Sequence, residues 1–364
     1  MRVSEVRLHD FRCHSRLRVE LGPGVTVLVG SNGAGKTSVL EAIHLVLQGV
    51  SPRTSQTKEL ISWGADAVRV EVELQDMLGC SITAAAGYAS TGDRRHSAGG
   101  APLADLSRWE ETCPVRAFIP DDVRLIKGSP RRRRRFLDRL AAAIDPSYSR
   151  DRAGYEEALL QRNTLLRRGV VGPDHDPWEA LLARAGLKMA VARESSLRSL
   201  FGAYAEMHGL LAPAPSALAG LRYRTNVADL DEGTYRELLA EQRVADYRRT
   251  FTNLGPHRDD VRFTLGGRDL RAFGSQGEQR TALLALVLAE RSWVLESTGR
   301  TQLLLLDDVM SELDDRRRRS LVALLNREGQ AVVTSTDLHY FTSEELCTME
   351  VVELLGAGEH SGGS

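Results

Sequence analysis

Residues Gly30-Ser31-Asn32-Gly33-Ala34-Gly35-Lys36-Thr37 match the pattern G-x-x-x-x-G-K-[ST] at every fixed position. They follow an apolar run, Val25–Val29, and precede an apolar-periodic stretch, Val39–Leu47. A strand, a glycine-rich turn and a helix in that order build a cradle for a nucleoside triphosphate. The glycines let the backbone wrap the phosphates, so that its amides and the helix N-terminus face negative charge. Lys36 then reaches the β and γ oxygens, and the Thr37 hydroxyl takes a place on Mg²⁺. Gly30, Ser31, Asn32, Gly33, Ala34, Gly35, Lys36, Thr37 and Ser38 are the candidate cofactor-binding residues, with ATP and Mg²⁺ as the expected ligands.

Two later segments extend this site. Thr301–Leu306 is a buried-strand run that ends in two carboxylates, Asp307 and Asp308. In that arrangement Asp307 is expected to hold the metal with Thr37, and Asp308 to orient the attacking water. Phe273-Gly274-Ser275-Gln276-Gly277-Glu278-Gln279-Arg280 precedes a strongly apolar helix, Thr281–Leu295, and forms a second phosphate-facing helix start. The two starts lie about 240 residues apart. The economical arrangement is an ATP-dependent homodimer, in which Ser275 and the Gly277 backbone of one subunit close over the γ-phosphate held by the other subunit's Lys36.

The order of phosphate loop, S-x-G-x-Q-type signature, Asp-Asp strand and Ser311-Glu312-Leu313-Asp314 turn resembles the ABC-type ATPases. Within them the chain is similar to the RecF family, over nearly its whole length. That likeness includes Asp10-Phe11-Arg12, Leu28-Val29-Gly30, Thr37-Ser38-Val39-Leu40-Glu41-Ala42-Ile43 and Arg133-Arg134-Arg135-Phe136-Leu137-Asp138. The most specific segment is Leu254-Gly255-Pro256-His257-Arg258-Asp259-Asp260.

The resemblance implies an α/β fold: a P-loop NTPase head of the ABC type, with a mostly helical inserted lobe and no long coiled coil. It further implies weak, DNA-stimulated ATPase activity, binding of double-stranded and gapped or junction DNA in recombinational repair and replication-fork recovery, and a RecR-type partner in RecA loading. Arg12 is expected near the nucleotide. Thr336, with His339 as its rival, stands where transport ATPases carry a γ-phosphate-sensing histidine. Those enzymes also have glutamate at the second acid. Asp308 is one methylene shorter, so slow turnover is expected.

Composition narrows the alternatives. A net charge of −1 gives no global argument for nucleic acid, and only four of the 48 basic residues are lysines. The run Arg131-Arg132-Arg133-Arg134-Arg135 sits in a segment with eight basic residues between Arg124 and Arg139. Five positive charges at a helix start oppose the macrodipole, which points to anion binding, with a solvated helix start as the plainer reading. Arg53 is a further DNA-binding candidate. His257 and Arg258 read as turn structure more readily than as catalysis. Cys13, Cys80, Cys113 and Cys347 form no C-x-x-C pair. No apolar run approaches a membrane span, and a cytoplasmic, nucleoid-associated protein is expected.

At 364 residues the chain should build two lobes. Residues 1–125 and 255–355 are expected to form a discontinuous ATPase lobe, 126–254 the helical lobe, and 356–364 a flexible tail. Gly87–Gly100 reads as a Gly/Ser-rich turn, and a helix from Trp178 to Leu211 reaches ~50 Å at most, far short of a coiled-coil arm. A transporter ATPase subunit and an ATP-switch scaffold with negligible hydrolysis are the rival functions.

Overall fold

The computed structural model describes residues 1–76, 78–103, 113–170, 172–212 and 217–355. The expected tail lies outside them. Two compact units are present: Met1–Asp122, Leu210–Ala212 and Val294–Ser364 form one, and Val123–Gly209 with Pro213–Trp293 the other.

Strands β1 (Arg2–Phe11), β2 (His14–Glu20), β3 (Val25–Val29), β4 (Ala67–Gln75), β5 (Ser81–Ala89), β6 (Arg94–Ala98), β7 (Ala101–Pro102) and β8 (Val115–Phe118) belong to the first unit. The second unit holds β9 (Ala219–Arg224), β10 (Asp260–Leu265) and β11 (Arg268–Asp269). The chain then returns to the first unit with β12 (Leu303–Leu306), β13 (Ala331–Ser335) and β14 (Glu350–Glu353).

The first unit contains an antiparallel sheet, ordered β2-β1-β4-β5-β6-β7, and a parallel one, ordered β14-β3-β13-β12-β8. Their sequences differ as their environments do. In β4 the residues Val68, Val70, Val72 and Leu74 point inward and alternate with Arg69, Glu71 and Glu73, because one sheet face is wet. In β12 and β13 every residue is buried, which explains the unbroken apolar run Leu303–Leu306. The helix Lys36–Gln48 packs against both sheets. Its Val39, Leu40, Ile43 and Leu47 share one core with Val6, Leu8, Val70 and Val72 on one side and Leu28, Leu305 and Val332 on the other.

Gly87–Gly100 differs from its expected form. Strand β5 runs on to Ala89 and pairs with β6, Gly87 facing Arg95, so the turn contracts to residues 90–93. Backbone ladder bonds and the edge-to-face contact of Tyr88 with His96 outweigh the low strand propensity of glycine and serine.

The second unit is built on helices, chiefly Pro130–Ile144, Tyr148–Arg167 and Asp176–Leu211. The last two run antiparallel, since Arg162 pairs with Glu179 and Asp151 with Lys188. Fully buried Arg162 donates to Glu179 (3.0 Å), Asp246 (2.8 Å), the Thr252 hydroxyl (2.8 Å) and the Leu239 carbonyl (2.8 Å). These four bonds, two of them to carboxylates, are what makes such burial tolerable.

The unit boundaries differ from the expected lobes over residues 255–293, which cluster with the helical unit. Strand β10 pairs with β9 along its whole length, and its neighbours, the Gly-Pro-His-Arg-Asp-Asp residues, are anchored there too. Arg193 donates to the Pro256 carbonyl and to Asp259, both at 2.8 Å, and Arg133 grips Asp260. Gly255 sits at φ +134, and a Cβ on it would meet the Tyr155 and Tyr235 hydroxyls at 2.2 and 2.4 Å, so no side chain fits.

His257 Nε2 donates to the Thr252 carbonyl (2.9 Å), leaving Nδ1 to accept from the Tyr155 hydroxyl (2.7 Å). The ring is therefore a neutral structural group, and burial holds its pKa at about 4 against an ordinary 6.5. The unfolded chain takes up this proton near pH 6.5 and the folded chain only near pH 4, so stability falls as pH drops through that window, by about 2 kcal/mol at pH 5. Denaturant melts at pH 7 and pH 5 should show a larger acid loss for the wild type than for His257→Gln. Equal losses would remove His257 from this account.

Candidate nucleotide site

The carboxyl ends of three neighbouring strands assemble the site. In the parallel register Leu306 of β12 lies beside Val333 of β13, and Ser335 of β13 beside Val29 of β3. The residues that follow β12 and β3 are thus brought to one edge, with Thr334 between them. Open parallel sheets bind ligands at this edge.

Sharp local backbone shapes the phosphate loop. Gly35 caps the helix in the left-handed region at φ +84, and a Cβ there would meet His14 Nε2 at 2.0 Å and Cys13 Sγ at 2.7 Å. Gly30 faces Leu354, just after β14, where a Cβ would lie 2.4 Å from the Leu354 carbonyl. Ser31, Asn32 and Gly33 are exposed, while Ala34 and Ser38 are buried. The loop is held by Ala34 N–H to the Ser31 carbonyl (3.2 Å) and Ser38 N–H to the Gly35 carbonyl (2.9 Å).

Lys36 is buried and donates to the carbonyls of Gly30 (2.6 Å) and Ser31 (3.0 Å). Desolvation pushes its pKa below the ordinary lysine value, against the opposing pull of Asp308 and Asp307. The Thr37 hydroxyl donates to Asp307 (2.8 and 3.0 Å to its two oxygens), and the Thr334 hydroxyl donates to the same carboxylate at 2.8 Å. Thr334 in turn accepts from the Asp308 N–H at 2.9 Å. Asp308 occupies the left-handed region at φ +49, and its Oδ1 is buried with no hydrogen-bond partner among the described residues. Strained backbone and an unpartnered carboxylate oxygen are features that persist where a function selects them.

These residues fit Mg²⁺: Thr37 and Asp307 present hard oxygens already in contact, and Asp308 adds an oxygen with no protein partner. When bound, the ion would neutralise charge developing on the terminal phosphates.

Thr334 was not singled out by sequence reasoning, which favoured Thr336. Thr336 is half-buried beyond the end of β13, and no hydrogen bond joins it to either acid among the described residues. Strand register is the signal that finds Thr334. Replacing it with valine removes the hydroxyl that ties Asp307 to Asp308. ATP hydrolysis is expected to fall 10- to 100-fold with the fold retained. Unchanged turnover would deny Thr334 this positioning role.

The remaining candidates are dispersed. Arg12, at φ +56, directs Nε and Nη2 to Glu41 (2.9 and 2.5 Å) and Nη1 to the Glu59 carbonyl (2.6 Å). Arg53 reaches the same buried Glu41 at 3.1 Å, as does the Ser51 hydroxyl at 2.6 Å. Glu41, another residue that sequence reasoning passed over, thus organises both arginines behind the phosphate-loop helix. In the arginine run, Arg133 is only 2% exposed and spends its donors on Asp260 and on the Leu125, Ile126 and Gly128 carbonyls. Its guanidinium is thus engaged inside the second unit. Arg131, Arg132 and Arg135 are exposed, and Arg134 is half-buried with a bond to the Asp259 carbonyl (3.1 Å).

Ser275 and Gly277 lie in the second unit. Ser275 N–H donates to Glu278 (2.7 Å) and its hydroxyl accepts from Glu278 N–H (3.2 Å), a reciprocal cap on the helix Gln276–Thr298. Ser275 and Gly277 are exposed, and a Cβ on Gly277 would meet open space.

A parallel sheet with a phosphate loop after one strand and paired acids after another, beside an antiparallel sheet, defines an ABC-type ATPase head. The head domain of an Smc protein from Pyrococcus furiosus has this fold, with a TM-score of 0.61 at 16% identity over 98% of this chain and 94% of that one. Residues 5–95 match a family model described as an AAA domain. The DNA replication and repair protein RecF of Heliobacterium modesticaldum is 34% identical over 359 residues, 95% of each chain. That of Symbiobacterium thermophilum is 36% identical over 355 residues, covering 93% of this chain and 92% of the relative. A solved structure described as the recombination mediator protein RecF-ATPrS in the RecFOR pathway superposes with a TM-score of 0.79, at 28% identity over 98% of this chain and 96% of that one. The chain belongs to the RecF family. Among the described residues, no helix is long and apolar enough to cross a membrane.

Proposed function

We propose that this protein is an ATP-dependent DNA-binding clamp of replication and recombinational repair. Its carrying observation is the joined set Thr37, Asp307, Thr334 and Asp308 beside Lys36 at one sheet edge, in a chain that aligns with RecF relatives over nearly its full length. ATP and Mg²⁺ bind through Gly30–Ser38 and Asp307. Ser275 of a second subunit then completes the γ-phosphate site, and closure of the homodimer creates strong binding to duplex or gapped DNA. Slow hydrolysis oriented by Asp308 and stimulated by DNA reopens it. The exposed arginines Arg131, Arg132 and Arg135 are the DNA-contacting candidates, and the RecFOR context of the solved relative supports a RecR-type partner.

Sedimentation with duplex DNA under no nucleotide, ADP and a slowly hydrolysed ATP analogue tests this at fixed salt. Dimers and DNA complexes should form together with the analogue alone. A monomer that ignores DNA in all three conditions would end the proposal.

Ser275→Arg should bind nucleotide within a few-fold of wild type and stay monomeric. It also loses the helix cap, which costs about 1 kcal/mol. Ser275→Asp keeps the cap and places negative charge toward phosphate, and it should fail to dimerise as well. Analogue-dependent dimers in both variants would exclude the two-subunit site.

A further inference from the structure

A cavity of about 220 Å³ in the second unit is lined by Arg133, Arg224, Arg262 and Arg271 with Asp260 and Asp269. Four arginines thus line the cavity with two aspartates, and both carboxylates are committed. Asp260 accepts from Arg133 through both oxygens and from Val261 N–H at 2.9 Å. Asp269 caps Arg271 N–H at 2.9 Å with one oxygen and faces Arg262 at 3.8 Å with the other. The ladder of β9 and β10 sets Arg224 directly across from Asp260. Arg224 and Arg271 are exposed, and among the described residues neither side chain has a hydrogen-bond or ion-pair partner, so both guanidiniums are available to a ligand.

We propose that this cavity binds one phosphate-class oxyanion, held by the Arg224 and Arg271 guanidiniums. Planar donor forks match tetrahedral oxyanions, and the preformed Arg133–Asp260 pair gives the cavity a fixed wall. The volume accepts a phosphate with some water and is below that of ordinary small-molecule pockets, which excludes a whole nucleotide. Arg271 stands four residues before Ser275. The carbonyls of Leu270 and Gly274 hold Gln279 of the signature at 2.7 and 3.0 Å, so an occupied cavity stiffens the loop that presents Ser275. The anion is either a backbone phosphodiester of DNA, which rests on the function proposed above, or free phosphate.

Calorimetric titration of inorganic phosphate into Lys36→Met protein, whose phosphate loop is disabled, isolates this site. Saturable binding should appear and vanish when Arg224→Gln and Arg271→Gln are added, whereas lysine at both positions should keep it within a few-fold and guards against misfolding. In otherwise wild-type protein with the ATP analogue, Arg224→Gln/Arg271→Gln should weaken duplex binding about ten-fold and lower its log–log salt slope by about 1 if the ligand is a DNA phosphate. Loss of phosphate binding with unaltered DNA binding assigns the cavity to free phosphate. If wild type fails to bind DNA at all, the clamp reading fails while the phosphate titration still decides the cavity. No saturable phosphate binding and no change with DNA would overturn the proposal.

Discussion

Asp308→Asn protein is expected to bind ATP as tightly as the parent and to hydrolyse it about 10²- to 10³-fold more slowly, as measured by single-turnover phosphate release. The substitution is nearly isosteric, and asparagine tolerates the left-handed backbone at φ +49 as aspartate does. The Asp308 N–H bond to Thr334 is therefore retained, and the fold with it. What is lost is the negative charge on an oxygen that has no hydrogen-bond partner among the described residues. In the proposed cycle that oxygen orients the attacking water. Unaltered turnover would leave an ATP switch whose hydrolysis, if any, proceeds without this carboxylate. The analogue-driven dimer should survive in the variant and persist longer in ATP than the wild-type dimer does.

Lys36→Met is expected to weaken ATP binding at least 100-fold, corresponding to about 3 kcal/mol of charge-assisted hydrogen bonding, and to abolish nucleotide-dependent dimerisation. Methionine fills much of the lysine stem's volume. The ammonium's burial already opposes its charge, so thermal stability without nucleotide should change little. A fluorescent nucleotide titration separates the outcomes. Near-wild-type affinity would mean that Gly30 and Ser31 carbonyls hold the ammonium away from phosphate in every state. Lys36→Met and Asp308→Asn thus divide the site into a binding half and a turnover half, which a purely structural role for either residue would not do.

Spacing along the chain determined the phosphate loop, the acid pair and the signature helix, because each is a local device: a strand, a glycine turn and a helix start within about ten residues. Buried strands Val25–Val29 and Leu303–Leu306 were legible for the same reason, as unbroken apolar runs of strand length. The hairpin around Gly87 was not, since its pairing outweighs weak local propensity. Nor was the split of residues 255–293 from the ATPase motifs that follow them, which depends on a β10–β9 ladder between segments some 40 residues apart. Thr334 and Glu41 became visible only when the register of parallel strands and the packing of one helix placed them beside Asp307, Arg12 and Arg53. The inward turn of Arg133 belongs to the same class: five consecutive arginines look alike in sequence, and the helical period of 3.6 residues decides which one meets Asp260 and which remain in water. Local chemistry is written in contiguous residues, whereas the partner of a buried charge is set by contacts between distant ones, and those exist only once the chain has packed.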